Sequence, residues 1–195
     1  MSKRLLIALG FLAGCAAAPY NLDNLPLVWM PERQPSASAG SATPDLFKAK
    51  VKVAPMIDAR KKPKLIGENR EGSTPKPVTT SDDVAPFVTD HFKQLLGGAG
   101  LSVVESGESV IIKGEITQFF VTETNLYSGE VRLDVVVTDR AGKSLWDGMT
   151  SGASDRFGRS YYAENYYQSL SDALSLATSS LLHDPSFQTA ITRKR

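Results

Sequence analysis

Apolar and polar positions change period along this 195-residue chain, and each change predicts an element. From residue 45 onward, Phe47, Ala49, Val51 and Val53 fall on one side of an extended segment, with Lys48, Lys50 and Lys52 on the other. A period of two is that of a half-buried strand, and lysines on its outer side oppose association. Asp58-Ala59-Arg60 closes the strand, and 61–80, rich in Lys, Pro and Gly, reads as loop. The period then turns helical: Val84, Phe87, Val88, His91, Phe92, Leu95 and Leu96 share one face. Ser81 is placed to cap this helix, and Asp82 and Asp83 suit its positive end. Pro86 sits in an early turn, where a missing N–H costs least, and Gly97-Gly98 provides the stop.

Strand patterns return at 101–104, 109–123, 126–138 and 143–157. In the third of these, Val131, Leu133, Val135 and Val137 alternate with Arg132, Asp134 and Val136, and Asp139-Arg140-Ala141-Gly142 follows as a hairpin turn. In the fourth, Trp146 points away from the side that Leu145 opens, toward an edge or the N-terminal segment. The last helix spans 161–182, with Tyr162, Tyr166, Leu170, Ala173, Leu174, Ala177 and Leu181 at helical spacing and His183-Asp184-Pro185 at its end. The order β-α-β-β-β-β-α predicts an α+β fold, an antiparallel or mixed sheet of about four to five strands with two helices packed on one face. One globular domain is expected over 45–187, with a basic tail over 188–195.

The N-terminal pattern belongs to a different class. Lys3 and Arg4 precede an apolar run at 5–12 and then small residues, the three-part layout of a secretory leader. The run is shorter than the roughly 20 apolar residues that a spanning helix needs. Leu12-Ala13-Gly14-Cys15 resembles the lipobox of bacterial lipoproteins. That resemblance implies a leader of 1–14, cleavage before Cys15, a diacylglycerol on its thiol and an acyl group on the new amine. Two or more acyl chains hold a protein firmly on a bilayer. Ala16, in place of Asp, implies an outer-membrane address with the body in the periplasm. The other reading is a plain secretory cut near Ala16-Ala17-Ala18, with Cys15 discarded. Residues 15–44, with five prolines and a Ser/Ala/Gly run, read as a lipidated cysteine followed by a flexible tether. A chain of about 28 such residues has a reach of about 30 Å. One apolar patch at 25–30, which contains Trp29, either packs back on the domain or docks on a partner.

Charge and residue type exclude several function classes. Lys3 and Arg4 leave with the leader, which takes the net charge from +1 to −1 and gives no general attraction to nucleic acid. With Cys15 lipidated no thiol remains for a disulfide. The two histidines, His91 and His183, have no metal-ligand spacing, and no Gly-x-Ser-x-Gly elbow is present. Leu95 to Gly100 reads LLGGAG but follows a helix, so it is a cap and turn rather than a phosphate loop. Asp58 and Arg60 form either a ligand clamp or a loop brace. Tyr161, Tyr162, Tyr166 and Tyr167 form either a recognition surface or the wet rim of a core. No nucleophile, base and stabiliser assemble, so no enzyme, cofactor or metal is expected.

Asp58-Ala59-Arg60 after a strand, Leu65-Ile66-Gly67, the turn DRAGKSLWDG and the helix YYQSLSDALSLATSSLLHDPSF together resemble the YajG-like family of bacterial lipoproteins, over about 46–187. The resemblance implies no catalytic residues. The expected function is that of a non-enzymatic lipoprotein anchored to the outer membrane through its N-terminal lipid and bound to an envelope protein partner. Trp29 and the four tyrosines are the candidate contacts. The alternative is a periplasmic carrier of a lipid or glycan fragment.

Overall fold

The computed structural model describes residues 22–32 and 49–192. The leader, Cys15, the first residues of the expected domain and residues 193–195 lie outside the described residues. The elements are β1 (Lys50–Val53), β2 (Ile57–Asp58), β3 (Leu65–Asn69), β4 (Lys76–Thr79), α1 (Val84–Gly98), β5 (Ser102–Val103), β6 (Val110–Glu123), β7 (Tyr127–Asp139), β8 (Ser144–Arg156), α2 (Ala163–His183) and α3 (Pro185–Thr192).

The fold is α+β, with a mixed sheet organised around β6. One side of β6 pairs antiparallel with β7 along its whole length, and β7 pairs antiparallel with β8. The other side of β6 is shared in succession by β1, β2 and β3, all parallel to it, while β5 and β4 extend the sheet beyond β1 and β3. The described sheet has eight strands, more than the four or five expected. One extra strand is β2, separate from β1, and the other two come from the segment read as loop. Residues 61–80 contain β3 and β4, whose period is obscured by Gly67 and Pro77. Pro77 is tolerated because β4 lies at an edge, where a missing N–H breaks no ladder.

The sheet has one dry face. Val131, Leu133, Val135 and Val137 of β7 are buried beneath the helices, and Arg132, Asp134 and Val136 are exposed on the opposite face. In β6 an irregularity between Ile116 and Gln118 inserts Thr117 and shifts the inward parity. Ile112, Gly114 and Ile116 point inward before it, and Phe119, Val121 and Glu123 after it.

The helices settle on this dry face. α1 buries Val84, Val88, Phe92, Leu95 and Leu96. It begins three residues later than expected: Asp83 is its N-cap, and Ser81 instead donates to Asp82. α2 lies over β7 and β8, and two glycines allow its close approach. A Cβ on Gly152 would lie 2.2 Å from the Ala173 carbonyl, and one on Gly129 would lie 2.7 Å from the Ser169 carbonyl. The Thr150 hydroxyl, two residues from Gly152, donates to the Ala177 carbonyl at 2.6 Å.

The chain does not end in a tail at 188. Asp184 stops α2 and caps α3, accepting from the Ser186 hydroxyl and from the Ser186 and Phe187 N–H groups. The Ser186 hydroxyl, more than any other contact, holds the Asp184 carboxyl below its ordinary range. α3 buries Phe187, Ala190 and Ile191, so the folded unit reaches 192. Trp146 is spent here: its Nε1–H donates to Ser186 at 2.7 Å and its ring meets Phe187 edge-on at 5.4 Å.

The middle of the expected tether is also part of the body. Leu25 bridges to Thr80, and its carbonyl accepts from the Thr80 hydroxyl at 2.7 Å. Farther along, Met30 N–H donates to Ser171 and Glu32 N–H to Asp172, both on α2. Residues 22–32 thus strap the helical layer from β4 to α2, and the expectation of free chain over 15–44 fails for them.

Replacing Gly152 with alanine forces α2 off the sheet. Gly152→Ala is expected to lower stability by about 3 kcal/mol, the upper part of the overpacking range, read from urea unfolding.

Candidate functional site

The tyrosine cluster at the start of α2 is held by a residue that periodicity hid. Glu123, at the end of β6, is fully buried. It accepts from the Tyr166 hydroxyl at 2.5 Å, from the Tyr127 hydroxyl at 2.7 Å and from the Tyr161 N–H at 2.7 Å. The Tyr127 hydroxyl shares its single proton between Glu123 and the Arg159 carbonyl, also at 2.7 Å, and accepts from Tyr162 N–H at 3.3 Å. Asn165 donates to the same Arg159 carbonyl at 3.0 Å. Tyr161 is held at φ 58, a left-handed conformation that costs a tyrosine roughly 1–3 kcal/mol. Burial first, and the Glu123 hydrogen bond second, raise the Tyr127 and Tyr166 phenols well above their ordinary value.

This arrangement corrects the reading of the tyrosines as a contact surface. Tyr166 is fully buried with its hydroxyl committed to Glu123, and Tyr167 is buried, with its phenol raised chiefly by burial. Tyr161 and Tyr162 are half-buried at the rim. Lys76 lies over the Tyr161 ring at 5.2 Å. The cluster is a knot that fixes the 157–162 turn, and the buried rings of Tyr166 and Tyr167 are not offered to a partner. The parity shift at Thr117 is the signal that would have placed Glu123 on the inner face.

Asp58 and Arg60 are brought together, as a brace. All five guanidinium N–H groups of Arg60 are used: two reach Asp58, and the others reach the Leu65, Phe119 and Pro63 carbonyls. A saturated guanidinium has no donor left for a ligand, so the clamp reading falls. Trp29 stacks on His91 at 4.2 Å, with Phe87 edge-on to both rings. It therefore belongs to the strap. His183 turns back to the Ser179 carbonyl at 2.7 Å.

Among the described residues, two of the hollows on the surface are shallow. One, of about 220 Å³, lies between Pro63, Lys64 and the start of α1. The other, of about 230 Å³, lies on the open face of the sheet around Phe120, Glu130 and Ala153. Among the described residues no group of three or more His, Cys, Asp and Glu side chains converges as a metal site would require. No described helix is long and apolar enough to cross a membrane.

What the surface offers is a strand edge. β8 is a 13-residue strand that pairs only with β7 among the described residues. Its sequence contains neither lysine nor proline, the residues that usually blunt such an edge. Met149, at its centre, is 61% exposed, and Phe157, just past its end, is 80% exposed.

No family model and no curated protein matches this sequence. Similar solved structures include a Xanthomonas campestris protein of family DUF330, at 10% identity and a TM-score of 0.49, covering 77% of this chain and 90% of that one. A second is a candidate lipoprotein from Caulobacter crescentus CB15, at 10% identity and a TM-score of 0.47, covering 66% and 92%. A third is the PelC dodecamer from Paraburkholderia phytofirmans, at 12% identity and a TM-score of 0.41, covering 73% and 90%. None of them assigns a role to this chain.

Two outcomes test the knot. Glu123→Leu leaves the buried Tyr166 hydroxyl and the Tyr161 amide short of an acceptor, while Tyr127 keeps the Arg159 carbonyl, and is expected to cost about 3 kcal/mol in denaturant unfolding. The raised phenols give a pH signature. Above about pH 10 the unfolded chain releases tyrosine protons that the native Tyr127 and Tyr166 keep, so stability falls as pH rises. Tyr166→Phe should flatten that fall by about 1.4 kcal/mol per pH unit in unfolding curves at pH 10–12.

Proposed function

We propose that this chain is a bacterial envelope lipoprotein of the YajG-like kind, held on the outer membrane by acylated Cys15. Its periplasmic body acts as a non-enzymatic interaction module that docks a partner protein at β8. The lipobox-like Leu12-Ala13-Gly14-Cys15 after a short apolar leader supports the anchor. The body's role rests on one observation, the 13-residue edge of β8 left unpaired among the described residues. Strand addition at such an edge supplies main-chain hydrogen bonds for affinity and alternating side chains for specificity.

A carrier of a small ligand has less support. These two hollows, of about 220 and 230 Å³, are smaller than the roughly 300–1,000 Å³ of small-molecule sites and are open to solvent. The strap bears on the anchor as well. The seven residue steps from Cys15 to Leu22 span at most about 24 Å at ~3.4 Å per residue, so an anchored body stays close to the head groups.

Two measurements test this function. Labelled palmitate should enter the wild-type protein, and Cys15→Ser should move it from the membrane fraction to the soluble one. Affinity capture from solubilised membranes should recover a partner, and Met149→Lys with Ser151→Lys should reduce that recovery about tenfold at unchanged thermal stability. Equal recovery from the double variant removes β8 as the docking edge.

A further inference from the structure

The charges on the open face of the sheet are not evenly spread. Arg132, on β7, is held by Glu130 at 2.6 Å. Lys113 lies on β6, two strands away from the free edge, in the row that ends at Asp147. Asp147 and Asp155 lie on β8 itself, exposed and with no ion-pair partner among the described residues. They are eight residues apart, so both fall on the open face, with exposed Met149 between them. Charge is mixed on β6, with Lys113 and Glu115, and on β7, with Glu130, Arg132 and Asp134, the last opposite Met149, and on this face of β8 it is acid alone.

We propose that β8 accepts an extended segment of a partner protein that carries lysine or arginine opposite Asp147 and Asp155 and an apolar side chain opposite Met149. Directly opposed residues in an antiparallel pair lie about 5 Å apart, close enough for opposite charges to stabilise the pair and for like charges to oppose it. Main-chain bonds along β8 hold such a strand, and the two aspartates choose it. A second copy of this chain is a poorer occupant. The only basic residue in β8 is Arg156, which lies on the opposite face and donates to Glu32 at 2.9 Å. Two β8 strands paired about Ser151 would also set Asp147 against Asp155. This inference rests on the reading of β8 as a docking edge and narrows the partner to a basic strand.

The test uses the full lipidated protein in detergent and a fluorescein-labelled peptide, Lys-Thr-Val-Thr-Thr-Thr-Val-Thr-Lys, whose alternate residues match β8 in either direction. A control peptide carries glutamate at both ends. Anisotropy should show saturable binding of the lysine peptide, weakened by added salt, with the control at least tenfold weaker. Asp147→Asn with Asp155→Asn should weaken the lysine peptide about threefold to tenfold without moving the thermal midpoint. Equal binding of both peptides, binding of neither, or no response to the double variant overturns the basic-strand assignment. A dimer in sedimentation that the lysine peptide does not dissociate also overturns it and gives the edge to a second copy. If partner recovery still depends on Met149 and Ser151 while the peptides do not discriminate, the docking edge stands and only the basic specificity falls. If recovery is indifferent to β8, the docking reading itself falls.

Discussion

A carboxyl group taken out of water must be repaid in hydrogen bonds, and the way Glu123 is repaid organises one end of this molecule. Its acceptors draw the Tyr127 and Tyr166 hydroxyls from a strand and a helix, and the Tyr161 N–H from the turn between β8 and α2. The three donors come from elements that meet only when the fold is complete. Leaving any one unpaired in the interior costs about 1–3 kcal/mol, so the bonds favour a single placement of α2 on the sheet. The left-handed Tyr161 is the local cost of that placement. It persists because its N–H has a buried acceptor waiting.

Close approach does the same work farther along α2. Gly129 and Gly152 remove the side chains that would hold the helix away, and the helix answers with backbone and small residues at Ser169, Ala173 and Ala177. The strap adds a third constraint on the outer side, with Ser171 and Asp172 of α2 receiving its N–H groups. α2 is therefore fixed from the sheet side by packing, at its start by the tyrosine knot and from outside by the strap. A body fixed in this way has its dry face fully used. The wet face of the sheet and the free edge of β8 are open to recognition among the described residues.

That division gives the proposed function its physical logic. The helical layer, the strap and the Arg60 brace stabilise and orient; each spends its polar groups internally. β8 does not. Its main-chain groups on one side have no strand opposite them among the described residues, and its exposed aspartates face solvent. An anchor of a few residues between Cys15 and the strap would keep the body near the membrane surface, where an envelope partner would meet it.

Most of the secondary structure was legible from the sequence, because it depends on local period. The alternation at 131–137, the helical face at 84–96, the turn ending at Gly142 and the mixed α+β class all follow from which residues must be dry. The Asp58 and Arg60 pair was legible as a pair, since two opposite charges two residues apart at a strand end can meet. That it is a brace was not, because saturation of its donors requires the Phe119 carbonyl, 59 positions away. The β3–β4 hairpin, the strap and α3 were hidden for a related reason: each is too short or too interrupted to be stable by itself and forms against surfaces supplied by others. Glu123 was hidden by one inserted residue at Thr117, which reverses inside and outside for the rest of its strand. Local physics set what each segment could be; contacts between distant segments decided which polar groups were buried, which tyrosines were spent and which edge was left open.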